Sequence, residues 1–257
     1  MNGIPHILAC DVGNTAIHFA HVHGDEVTPV QSMRVGELRA LGATLKELWG
    51  QMPQPKKLVA ASVNAAGLNA LEAAAADSLD QKVLVVGRDL PLPIQTDLPD
   101  PERIGVDRLC CAAAAYDRLG RACVVADFGT AITIDCVNDQ GVFLGGAILP
   151  GLSMSAKGLH DQTAQLPLVA PADPHGVFGK NTEEAIRSGI IRGAQGALRE
   201  LVEAYATELG HWPLVIITGG DAELICNHVG VSDLVQAFVG DLVLRGVAAS
   251  YYRTLVK

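Results

Sequence analysis

The sequence predicts an α/β protein made of two copies of one unit, each a mixed sheet flanked by helices, and three observations carry that reading. Two apolar runs end in the same acidic, glycine-containing turn: Ile7-Leu8-Ala9-Cys10-Asp11-Val12-Gly13-Asn14-Thr15 and Cys123-Val124-Val125-Ala126-Asp127-Phe128-Gly129-Thr130. Each turn is followed by an alternating stretch, Ala16 to Val22 and Ala131 to Val137, that reads as a returning strand and completes a β-hairpin. Both hairpins then lead into alternating strand and helix patterns, which adds βα units to an antiparallel pair. Duplication of a whole domain follows, with residues 1–119 as the first domain and 120–257 as the second.

The elements between the hairpins come in order. Val35 to Trp49 has helical spacing, Lys57 to Val63 is a short buried strand, Ala65 to Leu79 is an alanine-rich helix, and Lys82 to Val86 is a further strand. Leu90 to Pro101, with four prolines, reads as an ordered loop rather than a tether. Leu109 to Leu119 reads as a helix. In the second half, Thr182 to Leu209 is one or two helices interrupted by Gly189, Gly193 and Gly196; Leu214 to Thr218 is a strand; Asp241 to Leu255 is a closing helix. Gly145-Gly146 and Pro150-Gly151 read as tight turns.

Composition narrows the possible partners. A net charge of −9 and a pI near 5.3 argue against nucleic acid, whose phosphates need a basic footprint. With only 19 Lys and Arg, a phosphate ligand has to be met by backbone N–H groups and a divalent cation. Hydrophobic residues make up 49% and mean hydropathy is +0.27, yet no apolar run approaches the ~20 residues of a membrane-spanning helix. Met1-Asn2-Gly3-Ile4-Pro5 carries no basic segment of the kind a secretory leader has, so a cytoplasmic protein without a membrane partner is expected. Six cysteines form no C-x-x-C pair and read as small core residues rather than zinc ligands or disulfides.

Chemistry is expected at the hairpin tips. At Asp11-Val12-Gly13-Asn14-Thr15 a strand delivers a carboxylate and a glycine lets the backbone pass close to a ligand. Such a loop suits a polyphosphate, with Asp11 meeting a magnesium ion rather than the phosphates. An ordinary hairpin turn would use the same residue types. The second tip, Asp127-Phe128-Gly129-Thr130, repeats the order, and Thr218-Gly219-Gly220-Asp221-Ala222 adds paired glycines after a strand. Facing each other across an interdomain cleft, the two tips would clamp a nucleotide's phosphates. The P-loop and protein-kinase motifs are both absent, so phosphoryl transfer needs another fold. His18, His21 and His23 have a suggestive spacing, but His21 and His23 share one strand face while His18 points to the other; a solvated hairpin edge is the plainer account. Asp135 is expected to shape the second tip without a catalytic role.

Taken together with Gly105-Val106-Asp107-Arg108, Asp127 through Asp135, Gly145 through Gly151, Thr163 through Pro167, Gly179 through Thr182 and Thr218 through Ala222, the first loop resembles the type III pantothenate kinases over nearly the whole chain. The resemblance implies an actin-like fold of two ribonuclease-H-like domains, as in the acetate and sugar kinase/Hsc70/actin superfamily. It implies Mg²⁺-ATP and pantothenate as substrates, a monovalent cation (K⁺ or NH₄⁺) and a homodimer. It assigns ATP binding to Asp11, Val12, Gly13, Asn14, Thr15, Ala16, Ile17 and His18, with a further contact from Thr130. Pantothenate falls to Gly105, Val106, Asp107, Arg108 and Thr182, with Asp107 as proton acceptor, and the monovalent cation to Asp127. Where many relatives have a pantothenate-contacting tyrosine, this chain has Leu98, which keeps an apolar contact and loses the hydroxyl. A kinase of the same fold for another small alcohol, or a silent nucleotide-binding homologue, are the rival readings. Independently of the resemblance, a helix starting near Leu109 puts Asp107 at its N-terminus, where the helix dipole favours a negative side chain; a bare N-cap role is the alternative.

Overall fold

The computed structural model describes residues 3–226 and 231–255. Met1 and Asn2, on which the expectation about a leader partly rests, lie outside them, as do 227–230 and 256–257 of the expected second domain. Contacts divide the chain into two units, Met1–Arg118 with Asp241–Lys257, and Leu119–Gly240.

The first unit is built on β1 (His6–Val12), which pairs antiparallel with β2 (Ala16–His23). Two short strands, β3 (Glu26–Val27) and β4 (Gln31–Arg34), also lie antiparallel to β2. On the other side β5 (Lys56–Ser62) runs parallel to β1 and to β6 (Leu84–Val85), giving the order β3-β2-β1-β5-β6. Because β1 is central and covered on both faces, its sequence is a continuous apolar run rather than an alternating one. Leu8, Cys10 and Val12 face Leu41, Leu45 and Leu48 of α1 (Leu41–Gly50) and Leu71 and Ala75 of α2 (Ala65–Leu79). The i, i+4, i+7 spacing on α1 is what makes that stripe. Ile7 and Ala9 face the other way, toward Cys110 of α3 (Val106–Leu119). A 3-10 segment, Val35–Ala40, precedes α1, so the expected helix from Val35 to Trp49 is two pieces. β7 (Gln95–Thr96) lies within the proline-rich loop.

In the second unit β8 (Cys123–Phe128) pairs antiparallel with β9 (Ala131–Val137), which pairs antiparallel with β10 (Val142–Pro150). Parallel to β8 runs β11 (Leu214–Thr218), and parallel to that β12 (Val235–Phe238). The path β2-β1-β5-β6 and the path β9-β8-β11-β12 therefore have the same strand directions in the same order. Ile191, Leu198 and Val202 of α5 (Thr182–Leu209) pack on Val124, Ala126 and Phe128, joined by Ala222 and Ile225 of α6 (Ala222–Cys226). α4 (Leu152–Asp161) packs on α5 through Ala156 and Ile186.

Three expectations are corrected and one alternative is decided. The closing helix α7 (Leu242–Tyr252) packs on the first unit, not the second: Leu244, Val247 and Ala248 join Ile7, Ala9 and Val59, and the Tyr252 hydroxyl donates to the carbonyl of Val22 at 3.2 Å. An i, i+3, i+4 apolar stripe says that a helix needs a face, not which sheet offers it. α5 is one continuous helix, because its buried stripe holds it despite a cost of roughly 1 kcal/mol for each glycine. Gly145 and Gly146 lie inside β10, beyond a register shift after Phe143, and Gly151 is the N-cap of α4. Asp135 sits in the middle of β9 opposite Val125 and Gly146, buried to 2% exposure and away from the tip.

Among the described residues no helix is long and apolar enough to cross a membrane. Among the described residues no two cysteines form a disulfide, and burial pushes the thiols of Cys123 and Cys136 up to about 12 and about 11.

Candidate active site

Asp11 stands one residue before the end of β1, opposite His18 on β2 and Ala61 on β5, and is half-buried. Strand alternation puts it on the face of Ile7 and Ala9, where α7 packs and Cys110 of α3 joins the cluster. The turn closes where the Gly13 N–H donates to the Ala16 carbonyl at 3.0 Å, which leaves Asn14 and Thr15 exposed at the tip. Val12 and Ile17 are fully buried, so within Asp11–His18 these two can offer a ligand only backbone atoms. His18 turns its Nδ1 to the Ser32 hydroxyl at 2.7 Å, and burial lowers its pKa.

Three ties hold this tip from behind. The Val63 N–H donates to the Val12 carbonyl at 3.1 Å. The Asn64 Nδ2 donates to the Gly13 carbonyl at 3.2 Å, while its Oδ1 accepts from the Gly67 N–H at 3.0 Å and so caps α2. Gly67 lies so close to Val12 that a Cβ there would come within 2.8 Å of Val12 Cγ1. Nothing in the sequence reading singled out Asn64, though an Asn directly between a strand and a helix is the signature of an N-cap.

Asp107 belongs to the first turn of α3, which begins three residues earlier than the spacing suggested because Gly105, not Asp107, holds the capping place. The Gly105 carbonyl accepts from the N–H groups of Arg108 and Leu109 at 3.1 and 3.4 Å. The Asp107 Oδ1 accepts from the Arg108 N–H at 2.8 Å, and a Cβ on Gly105 would fall 2.5 Å from that oxygen. Glycine there makes the space the carboxylate occupies. Asp11 and Asp107 both act on Cys110, in the second turn of α3. Burial raises the Cys110 thiol pKa well above its usual value, and the charges of Asp11 and Asp107 raise it further. Leu98 is half-buried, its N–H donating to the Thr96 hydroxyl at 3.2 Å.

In the second unit Asp127 ends β8 in the same way, opposite Thr133 and Thr218. The Gly129 N–H donates to the Ala131 carbonyl at 3.2 Å and leaves Thr130 exposed. Behind this tip Gly219 has φ +96°, and a Cβ there would fall 2.5 Å from the Phe128 carbonyl carbon and collide with Asp127 Oδ1. The Asp221 N–H donates to the Phe128 carbonyl at 2.9 Å. Thr182 is the exposed first residue of α5, beside an N-cap in which Asn181 accepts from the Glu184 N–H, while Glu184 accepts from the N–H of Lys180 just before the cap, both at 2.9 Å. It lines an apolar groove of about 890 Å³ between α4 and α5, with Leu149, Met154 and Ile190 among its walls.

Among the described residues no group of three or more His, Cys, Asp or Glu is placed to hold a metal ion. His21 and His23 do share a face; His6 joins them there, its Nδ1 2.8 Å from His21 Nε2 and its ring stacked 3.9 Å from that of His23.

The family model described as type III pantothenate kinase matches residues 7–204. The chain belongs to that family. A type III pantothenate kinase of Persephonella marina is 31% identical over 95% of this chain and 98% of its own length. One from Zymomonas mobilis subsp. mobilis is 34% identical over 95% and 92%. The enzyme is thus a kinase by family, and its fold is the actin-like one. The (R)-2-hydroxyglutaryl-CoA dehydratase component A of Acidaminococcus fermentans matches its backbone with a TM-score of 0.56 over 99% of this chain and 100% of that one, at 16% identity. The activator of 2-hydroxyisocaproyl-CoA dehydratase from Clostridium difficile does so with 0.50 over 98% of both chains, at 12% identity.

Proposed function

We propose that this kinase transfers the γ-phosphoryl group of ATP to the primary hydroxyl of pantothenate, the first step toward coenzyme A, with Asp107 accepting the hydroxyl proton. The observation that carries the residue assignment is the carboxylate of Asp107, held in the first turn of α3 by the Arg108 N–H in the space Gly105 leaves. A carboxylate fixed in this way orients an alcohol before it attacks. In a loose phosphoryl-transfer transition state orientation matters more than base strength, because the proton leaves late.

Around that base the other roles distribute as follows. Asp11 through His18 and Thr130 bind ATP, the buried Val12 and Ile17 through their backbone. Mg²⁺ arrives with ATP and neutralises charge on its phosphates; Asp11 is the side chain suited to meet it. With Asp107 placed as base, Gly105, Val106, Arg108 and Thr182 bind pantothenate, Arg108 pairing with its carboxylate. Asp127 takes the monovalent cation, K⁺ or NH₄⁺: its carboxylate lies beside a stretch of backbone that a side chain at Gly219 would fill. The enzyme works in the cytoplasm as a homodimer. Support for the dimer comes from the groove between α4 and α5 and from Ile148 and Met154, which are 63% and 48% exposed.

Purified protein with Mg²⁺-ATP, K⁺ and pantothenate should yield 4′-phosphopantothenate by mass spectrometry, and Asp107→Asn should cut kcat by roughly 10²–10⁴-fold. Undiminished turnover by D107N would remove Asp107 as the base. Activity should collapse when K⁺ is replaced by a large organic cation. Leu98 favours one second reading, an acceptor alcohol other than pantothenate, which a panel of alcohols separates by kcat/KM.

A further inference from the structure

We infer that Asn64 is a positioning residue for ATP, fixing the first hairpin tip by holding the Gly13 carbonyl. The amide is committed at both ends. Its Nδ2 donates to Gly13 O at 3.2 Å and its Oδ1 accepts from the Gly67 N–H at 3.0 Å. Because one partner is purely an acceptor and the other purely a donor, the orientation of the amide is fixed by chemistry. Asn64 is itself held: its N–H donates to the Ser62 hydroxyl at 3.1 Å, and that hydroxyl donates to the Asn64 carbonyl at 3.0 Å.

The consequence is a rigid link between α2 and the tip. Asn64 holds Gly13 O, the Val63 N–H holds Val12 O, and Gly67 packs on the Val12 side chain. Gly13 O is the carbonyl of the peptide that carries the Asn14 N–H. Fixing that oxygen therefore fixes the direction of a tip N–H group available to phosphate. Capping α2 needs only an acceptor at position 64. Only the positioning role needs the Nδ2 donor.

The inference rests on the proposed assignment of ATP to Asp11–His18, and the experiment separates the two. Asn64→Asp keeps a capping oxygen and has no donor, and Asn64→Ser keeps a capping oxygen on a shorter side chain and loses the Nδ2 group. Both should fold, with a melting temperature lowered less than that of Asn64→Ala, and raise KM for ATP, N64S by roughly 3- to 10-fold, as expected for one hydrogen bond, and N64D by more. KM for pantothenate should stay put. Asn64→Ala, which removes cap and donor together, should show the same KM shift plus a lower melting temperature. Separately, hydrogen exchange of the wild-type protein should show the amides of residues 13–16 protected by a non-hydrolysable ATP analogue. Protection with wild-type KM for ATP in N64D and N64S would overturn the role of Asn64 and leave the loop assignment standing. Absence of protection would overturn both.

Discussion

The two hairpin tips end in the same order of residues but are braced in different ways. At the first, the segment after β5 reaches back with a backbone group, the Val63 N–H on the Val12 carbonyl, and adds a side chain: Asn64 ties to the Gly13 carbonyl and caps a fifteen-residue helix in the same gesture. At the second, the segment after β11 reaches back with bare backbone: Gly219 presses on Phe128 and Asp127, and the Asp221 N–H takes the Phe128 carbonyl. Equivalent strands pose one problem, a carboxylate-bearing turn to be kept in place, and a duplicated chain has solved it twice. The side-chain brace leaves the tip tunable by substitution. The backbone brace brings main chain against the Asp127 carboxylate, where no side chain would fit.

That contrast can be broken by measurement. The largest effect should come from Gly219→Ala, which adds a Cβ at φ +96° against Phe128 and Asp127. A loss of about 3 kcal/mol or more is expected, read by urea unfolding, with K⁺-dependent activity lost in whatever folds. Next comes Gly67→Ala, whose Cβ would meet the tip of a Val12 side chain at 2.8 Å. Here a methyl group can give way and alanine favours the helix, so about 1 kcal/mol is expected. A cost for G67A equal to that of G219A would show that the first brace is as rigid as the second.

The smallest effect concerns acid. In the first unit burial lowers the pKa of His6 and His21, and in each case a neighbouring imidazole lowers it further; Glu26 partly opposes this at His21. His23 and Lys56 flank His6 on the neighbouring strands, His23 stacked on it. A base whose folded pKa lies below its unfolded value binds fewer protons when folded, so stability is complete above the unfolded value of 6.5 and falls as pH drops below it. In the second unit the carboxyl of Asp139 is held below 3.8, chiefly by the Ala122 N–H, and that of Glu184 below 4.5, chiefly by the Lys180 N–H. Their contribution lasts until pH falls through those lower values. Between pH 6.5 and 4.5 the first unit should therefore gain hydrogen exchange before the second does, and His6→Gln should reduce the difference. Equal loss in both units would mean that the imidazole cluster has no weight in stability.

Much of this was legible beforehand, and the exceptions share a cause. The hairpins, the strand from Leu214 to Thr218 and the helix from Ala65 to Leu79 could be read from periodicity, because burying a stripe or a face dictates the spacing of apolar residues. β10 was not legible: its glycines look like turn residues, but Gly145 follows the register shift with φ +99° and Gly146 lies against Asp135 on the neighbouring strand. The start of α3 was hidden because Gly105 caps it with a carbonyl rather than a polar side chain. Asn64 escaped because the value of an amide that bridges residues 13 and 67 appears only when β1 and β5 lie side by side.

The route of the chain has one more consequence, through α7. That helix is made after all of the second unit, yet Leu244, Val247 and Ala248 cover the face of β1 opposite α1 and α2. On the ribosome the second half of the protein can therefore reach its final form while the first still exposes the part of its sheet that α7 covers, and the earliest-made strand is the last to be sealed.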